Sequence, residues 1–472
     1  MHFPRTAAAA LATALLATPA YAQSTDDIAA LRRDMDSLRH DYEARIADLE
    51  TRLAQAEADA AAAHAAADAA AAQAANQAPA ADAATADATA PDTTAPDTTG
   101  QYAAAPPPPP SAAGGLTSQN IYNPGISVAL NGFFTAANNE TGDERLAGFA
   151  AGDDIGRPER GFSLGESEVA FAANIDPFLA GFFDFSLDNQ NEVSLEEAYI
   201  RTTALPGGLT LKAGRFLSGI GYLNERHAHD WSFSDAPLPY RAFLNTQLGD
   251  DGVQLRWIAP TDQYLEFGAE ALRGDSFPAS GADNNGVGTY SVFARTGSDI
   301  NVSSSYLVAV SYLHSDAVDR ESNGDLFTGD TDLGILSLIY KWAPGGNPLV
   351  RNLTVAGEYF IGDDEGAFNG LSLNQQHTGW YVQGVYQFMP RWSAGLRYAA
   401  LNSDDPGAAF VGTQLDDLGQ DPFDVTALLE FDTSEFGRIR LQYDRDEAGV
   451  DANNVFTLQY TVIYGPHGAH RY

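Results

Sequence analysis

Two histidines and an aspartate stand almost side by side in the stretch Asn224–Trp231, in the order His227-Ala228-His229-Asp230. Imidazole and carboxylate groups suit zinc, so His227, His229 and Asp230 are weak candidates for a metal site. A His-x-His spacing in a loop has little specificity, and the alternative is a packed, hydrogen-bonded loop that holds no metal. The sequence leaves both interpretations open.

No convincing enzyme signature accompanies these residues. The sequence contains no phosphate-binding loop, His-Glu-x-x-His motif or dinucleotide fingerprint. His227, Asp230 and Ser232 are close in sequence, but neighbouring loop residues seldom adopt the geometry of a hydrolytic triad. We therefore predict no enzymatic activity and no cofactor.

Composition excludes two further classes. The 472 residues include 26 Lys+Arg and 63 Asp+Glu, for a formal net charge of −37, so a nucleic-acid binder that works through a basic surface is excluded. Cysteine is absent, which removes disulfides, thiolate metal sites and cysteine nucleophiles.

The first 22 residues resemble a secretory signal peptide. Arg5 precedes an apolar run over 6–18, and Ala20-Tyr21-Ala22 supplies a small-x-small cleavage pattern. The alternative is a membrane anchor, but the run is shorter than the roughly 20 residues that span a bilayer. We predict export, with a mature chain that begins at Gln23.

Residues 23–75 carry apolar positions at alternating spacings of three and four, with one stutter. These positions are Ile28, Leu31, Met35, Leu38, Tyr42, Ile46, Leu49, Leu53 and Ala56. The spacing predicts a periplasmic α-helical coiled coil; the alternative is a helix that packs on the domain that follows. Residues 76–120 are rich in Ala, Thr and Pro, repeat Thr-Ala-Pro-Asp-Thr-Thr, and are predicted to be a disordered linker.

Residues 121–472 alternate apolar and polar residues in sixteen short runs separated by Gly, Asp, Asn and Pro. Short and long connections alternate between these runs. The long ones span 137–161, 218–250, 274–287, 315–331, 363–377, 402–422 and 447–453. This asymmetry predicts an all-β fold, a 16-stranded antiparallel transmembrane β-barrel with apolar side chains facing lipid and polar ones facing an aqueous lumen. A soluble sandwich would show the same alternation with its apolar faces inward.

Tryptophans support one membrane interface. Trp257, Trp342 and Trp392 each lie beside an even-numbered connection between the runs, although the one after Trp342, 343–350, is an exception in being long. An amphipathic ring is favoured at the headgroup level. The short connections are therefore predicted to face the periplasm.

Three stretches resemble a strand pair of phosphate-selective porin O/P-type outer-membrane porins. They are Leu195–Ile200, the turn Leu205–Gly208, and Leu209–Phe216. The resemblance implies a trimeric channel for small solutes in a Gram-negative outer membrane, in contact with lipid and lipopolysaccharide. It does not extend to phosphate selectivity, because Lys212 and Lys341 are the two lysines of the chain and cannot form a basic ladder.

The connection 218–250 is long and aromatic enough to fold into the lumen and narrow it. Its predicted constriction and solute-binding residues are Arg226, His227, His229, Asp230, Asp235 and Arg241. Charges predicted to line the lumen are Glu197, Arg201, Arg256, Glu266, Glu270, Glu358, Arg397 and Arg440. A one-residue shift in register would reverse each of these lumen assignments.

The sequence thus predicts an outer-membrane porin that conducts ions and small polar solutes, with an acidic, cation-favouring outer rim. Two alternatives stay open. The first is a structural tether, in which the barrel anchors the chain and the coiled coil contacts the cell wall. The second is a divalent metal channel that takes up zinc through the His227/His229 loop.

Deletion of residues 23–115 distinguishes a porin from a tether. If the barrel alone conducts, we expect unchanged solute permeability in liposome swelling assays with the deletion variant. If the coiled coil tethers the envelope, outer-membrane vesicle release should rise in cells that carry the same variant.

Overall fold

The computed structural model describes residues 124–141, 145–187, 193–280 and 286–465. The predicted signal peptide, coiled coil and linker all lie outside these residues. Seventeen strands and one α-helix form the described part of the chain. The strands are β1 Gly125–Ala137, β2 Gly161–Leu164, β3 Ser167–Asn174, β4 Leu179–Leu187, β5 Val193–Thr202, β6 Leu209–Leu217, β7 Gly249–Ile258, β8 Tyr264–Leu272, β9 Thr289–Asn301, β10 Ser304–Ser322, β11 Asp325–Trp342, β12 Asn352–Phe368, β13 Leu371–Met389, β14 Trp392–Ser403, β15 Phe423–Ser434, β16 Gly437–Asp446 and β17 Asn453–Tyr464.

The strands close into one antiparallel barrel. Strand β1 pairs with β17 on one side and with β2 and β3 on the other, and from β3 to β17 each strand pairs with the next one in sequence. Because β2 and β3 are two segments of one wall position, the barrel has sixteen positions. This confirms the predicted strand number and the antiparallel fold class.

The wall is apolar outside and polar inside. On β17, Phe456, Leu458 and Tyr460 are 52%, 45% and 49% exposed. The intervening Thr457, Gln459 and Thr461 are buried. The same alternation on the other strands excludes the soluble-sandwich alternative, in which the apolar face would be the buried one.

The two rims of the barrel differ. Tight connections at 175–178, 203–208, 259–263, 302–303, 390–391 and 435–436 lie on one rim, and longer ones at 138–160, 218–248, 404–422 and 447–452 lie on the other. Trp257, Trp342 and Trp392 all stand next to the rim with tight connections, as the sequence predicts.

Two of the predicted long connections are wrong. Residues 315–331 and 363–377 are mostly strand, because β10–β11 and β12–β13 continue to two-residue turns at Asn323-Gly324 and Asn369-Gly370. Both residues of each turn have positive φ, 49° and 89° in the first and 51° and 78° in the second. This is the type I′ geometry for which Asn-Gly is the preferred sequence.

Two local irregularities turn extra side chains inward. The predicted strand 162–174 is broken at Gly165-Glu166, where the amide of Gly165 donates to the carbonyl of Asn131 at 2.9 Å. On β5 the pairing with β4 skips from Glu197 to Leu195, so that Glu196 is the extra residue of a β-bulge.

The connection 218–248 contains a helix that the sequence analysis did not predict, α1 (Leu238–Leu244). Pro239 lies in its first turn, and the helix ends at Asn245 in the left-handed conformation. All seven residues are buried. No helix among the described residues is both long and apolar enough to cross a bilayer.

Substitution of Gly370 by alanine tests the turn geometry. A Cβ at φ 78° is strained whatever the surrounding space, so we expect Gly370→Ala to lower the unfolding free energy by about 1 kcal/mol. Urea unfolding in detergent, followed by tryptophan fluorescence, measures the change. Gly384→Ala is the matched control, because an added Cβ there meets only ordinary contact with Val355 at 3.9 Å. Equal effects of the two variants would contradict the type I′ assignment.

Candidate functional site in the barrel lumen

The connection 218–248 lies inside the barrel and is bonded to its wall in several directions. Near β11–β13, the hydroxyl of Tyr240 in α1 donates to Glu358 at 2.7 Å, and the hydroxyl of Tyr381 donates to the same carboxylate at 2.6 Å. The amide of Tyr222 also donates to Glu358 at 2.8 Å. One buried carboxylate on β12 therefore fixes two parts of the connection.

On the β7–β9 side, the same connection meets two more carboxylates of the wall. Glu270 accepts from the amide of Gly219 at 2.8 Å and from Ser291 at 2.6 Å. Glu225, which belongs to the connection, pairs with Arg256 and, at 2.7 Å, with Arg295. Glu266 lies 3.4 Å from each of these two arginines, which completes a four-membered charge network.

Asp235 lies at the centre of a second network, near β14–β16. Its carboxylate accepts from Arg397 at 2.8 Å and from Arg157 at 3.0 Å. Arg397 lies 3.8 Å from Asp424 and 3.9 Å from Asp444. Burial by itself raises the pKa of Asp235, but the guanidinium groups of Arg397 and Arg157 outweigh it and hold that pKa well below its usual value.

The connection 138–160 also folds inward and joins this network. Arg157 pairs with Asp446 as well as Asp235, and the carbonyl of Ile155 accepts from Arg241 at 2.6 Å. Apolar side chains of both connections pack against the wall in one buried cluster. It includes Leu146, Phe149, Ile155, Leu223, Leu238, Phe243, Phe360 and Leu401. Two packed segments therefore occupy part of the lumen on the long-connection side.

His227 stands in front of four carboxylates from β3, β4 and β5. Its Nε2 lies 3.3 Å from Glu197. Its Nδ1 lies 3.3 Å from Glu168, 3.5 Å from Glu196 and 3.7 Å from Asp184. Burial by itself lowers the pKa of His227. The surrounding carboxylates, Glu168 first, raise this pKa by more than burial lowers it, so the pKa lies well above its ordinary value.

His229 is buried next to His227 and bonds to Glu168. Its Nδ1 lies 2.7 Å from the Glu168 carboxylate, and the two imidazole rings stack with centroids 5.8 Å apart. Asp230 lies 3.7 Å from Nε2 of His229. The backbone here is held from outside the cluster, because Arg438 donates to the carbonyl of His229 and Arg440 to that of Trp231.

The structure places the predicted site residues as follows. All eight predicted lumen charges lie on the inward face of the wall. Glu197, Glu266, Glu270, Glu358, Arg397 and Arg440 are buried, and Arg201 and Arg256 are half-buried. Of the predicted constriction residues, Asp235 and Arg241 belong to the arginine network, His227 and His229 to the carboxylate cluster, and Arg226 lies over the ring of Tyr222 at 4.4 Å.

Sequence reasoning missed residues around Asp235 and around His227. Arg157, Asp424 and Asp444 belong to the network around Asp235. The carboxylates near His227 that were missed are Glu166, Glu168, Asp184 and Glu196. The alternation of Asp184 with the outward Phe183 and Phe185 is a sequence signal that predicts its inward orientation. No such signal exists for Glu196, since only the bulge turns its side chain inward. Asp364 and Asp446 are strand residues of β12 and β16 that pair with Arg320 and Arg157.

One short motif has the spacing of a nucleophile elbow, Gly161-Phe162-Ser163-Leu164-Gly165. In a hydrolase of that type the serine lies on a turn between a strand and a helix. Ser163 instead lies within β2, and its hydroxyl has no hydrogen-bond partner in the described ranges. The motif therefore has no general base beside it in the described structure.

A relative in Aquifex aeolicus (strain VF5), described only as an uncharacterized protein, is 30% identical to this chain over 391 residues, which cover 75% of this chain and 81% of that protein. The chain belongs to the same family as the Aquifex protein. No protein-family model matches the sequence.

Solved structures of barrels are also similar in chain path. An anion-selective porin from Comamonas acidovorans has a TM-score of 0.48 at 9% identity and covers 72% of this chain and 99% of its own. The channel DcaP of Acinetobacter baumannii has a TM-score of 0.46 at 11% identity, with 72% and 97% covered. OmpF of Salmonella typhi, in complex with daunomycin, has a TM-score of 0.45 at 13% identity, with 72% and 94% covered.

Removal of Arg397 tests the network around Asp235. Arg397→Met leaves Asp235, Asp424 and Asp444 buried with less positive charge nearby, and we expect a loss of about 3–5 kcal/mol in unfolding free energy. Arg445→Met is the matched control, since its side chain is 40% exposed beside Glu447 and its removal should cost below about 1 kcal/mol. Urea unfolding in detergent measures both. Similar losses would show that the buried network does not hold the inward connections.

Proposed function

We propose that the protein is an outer-membrane porin that passively conducts ions and small polar solutes. The observation that carries this proposal is the closed barrel whose outer surface is apolar and whose inner surface is polar and charged. Such a wall matches hydrocarbon outside and water inside, and closure leaves no unpaired strand edge within the bilayer.

Strand length supports a transmembrane position. The shortest full wall strands, β4, β6 and β8, have nine residues each, and about 9–11 tilted residues cross the hydrocarbon core. The rim with tight connections and tryptophans then faces the periplasm, and the rim with long connections faces outward.

The inward connection 218–248 is proposed as the constriction. It brings Glu225, His227 and Asp235 to the wall, and its neighbour 138–160 fills further space on the same side. Positive side chains remain half-buried on inward surfaces, namely Arg201, Lys212, Arg226 and Lys341. The passage is therefore of mixed charge rather than lined by a basic ladder.

The outward rim is proposed to favour cations at low salt. Asp153, Asp404 and Asp405 are exposed in the long connections. Asp416 accepts from the amides of Gly412 and Leu418 at 2.7 and 3.0 Å, which lowers its pKa and keeps it ionised at neutral pH. Fixed negative charge raises the local cation concentration within the Debye length, about 10 Å at 0.1 M.

We further propose a homotrimer in contact with outer-membrane lipid and lipopolysaccharide, with the N-terminal region in the periplasm. The heptads of residues 23–75 and the resemblance to phosphate-selective porin O/P-type porins support this assembly. The tether alternative depends on residues that lie outside those the structure describes, and it stays a prediction.

Planar-bilayer recording tests the channel. We expect stepwise conductance from the purified protein, and a reversal potential across a KCl gradient that shows cation preference at low salt and less preference at 1 M, where the Debye length is about 3 Å. The variant D153N/D404N should lose part of the low-salt preference. The control D262N/D299N removes the same number of charges from the opposite rim and should lose less.

Three results would count against this assignment. Absence of conductance steps would remove the channel function. Strong anion preference at all salt concentrations would instead favour a phosphate-selective porin. Equal effects of D153N/D404N and D262N/D299N would remove the role of the outward rim.

A further inference from the structure

We propose that Glu168, Asp184 and His227, with Glu196 as a fourth ligand, form a binding site for a divalent transition-metal ion on the inner wall of the barrel. The proposal differs from the sequence-based candidates, because it replaces His229 and Asp230 by wall carboxylates. It does not depend on the channel function, since the ligands are placed by the barrel and by the inward connection alone.

The distances around Nδ1 of His227 fit metal ligands better than hydrogen-bond partners. Oxygens of Glu168, Glu196 and Asp184 lie 3.3, 3.5 and 3.7 Å from Nδ1, which forms no hydrogen bond with any of them. Ligand atoms about 2.0–2.2 Å from one tetrahedral ion are separated by about 3.3–3.6 Å. The ligand atoms of Glu168, Asp184 and His227 all lie within 4.8 Å of one another.

A second observation at the same place points to a missing cation. Asp184 is 1% exposed, and its Oδ1 has no hydrogen-bond partner within the described structure, nor has Nδ1 of His227. A buried carboxylate oxygen without a donor costs free energy unless a positive charge meets it. Both orphaned atoms belong to residues of the proposed ligand set.

The charges around these carboxylates also favour a bound cation. In the described part of the chain, no arginine or lysine forms an ion pair with Glu168, Asp184 or Glu196. By contrast, Asp235, near β14–β16, pairs with two arginines. Oxygens of Glu166, Glu168 and Glu196 also lie within 4.8 Å of one another, and carboxylates this close require a shared proton or a cation.

Neighbouring groups orient the ligands. Glu197 lies 3.3 Å from Nε2 of His227, so a proton on Nε2 leaves the lone pair of Nδ1 free for a metal ion. The second oxygen of Glu168 bonds to His229 at 2.7 Å. A set of one imidazole nitrogen and three carboxylate oxygens suits Zn²⁺ or Mn²⁺ better than Mg²⁺. The side chain of His227 is 15% exposed, which leaves a direction of approach for the ion.

Zinc titration of the full mature chain in detergent tests the site. Every protein carries His467→Gln and His470→Gln, because these two histidines could bind zinc independently. After EDTA treatment and desalting, calorimetry should show a saturable Zn²⁺ site that Mg²⁺ does not compete for. We expect at least a 100-fold weaker affinity in Asp184→Asn and in His227→Gln, and a 10- to 100-fold weaker affinity in Glu197→Gln.

His314→Gln is the matched control. His314, Asp316 and Asp330 form another group of potential ligands, but this group is largely exposed, so its loss should change the affinity of the buried site by less than two-fold. In Mn²⁺-loaded protein, spin-echo modulation from one imidazole nitrogen should be present in the control and absent in His227→Gln.

Stability separates a ligand from a merely structural residue. In EDTA, Asp184→Asn should raise the thermal midpoint, because it removes a buried, uncompensated carboxylate. With excess Zn²⁺ the order should reverse, because binding stabilises only the protein that retains the site. Failure of the folded protein to bind either ion, or an affinity in Asp184→Asn and His227→Gln as high as in the protein that retains both residues, would overturn the proposal and show that protons neutralise the cluster. The binding and stability measurements are made in detergent. Their outcomes therefore do not depend on whether the protein conducts in a planar bilayer.

Discussion

Compensation of buried charge inside the barrel is the constraint on which the lumen depends. A connection that carries Glu225, His227 and Asp235 into a poorly hydrated space is stable there only where the wall supplies opposite charges or donors. Arg295 does so for Glu225, Glu197 for His227 and Arg397 for Asp235. The wall sequence therefore determines where the connection lies, and the connection in turn determines which wall charges still face water.

Buried charge is compensated differently in two parts of the lumen. Near β14–β16, arginines from both the wall and the connection 138–160 surround Asp235 and supply its counter-charge. Near β3–β5, wall carboxylates outnumber the imidazoles that face them. The difference follows from sequence position, because β14 and β16 carry Arg397, Arg438 and Arg440, whereas β3 and β4 carry acidic residues and no arginine. A cation from solution is the natural complement on the second side.

Periodicity made the barrel predictable, and local geometry limited the rest. Strand number, antiparallel pairing and inward orientation of Glu270, Glu358 and Arg397 follow from period-two alternation, which sets the face of each residue. The hairpins at Asn323-Gly324 and Asn369-Gly370 were missed although Asn-Gly is a strong turn signal, because polar residues on both sides resembled a loop. Glu196 was out of reach, since a bulge changes the face of a residue without leaving a pattern in the sequence.

The hairpins β10–β11 and β12–β13 extend beyond the neighbouring strands, and an extended, unpaired strand edge can promote aggregation. Residues 317–322 of β10 extend past its pairing with β9 and leave part of a sheet margin without a partner strand. Such a margin invites the addition of a strand from another molecule. Here the bulge at Val318-Asp319 twists it, and Arg320 and Ser322 bond to the carbonyls of Pro278 and Ala151. This part of the sheet is thereby protected against edge-to-edge aggregation by the adjoining connections.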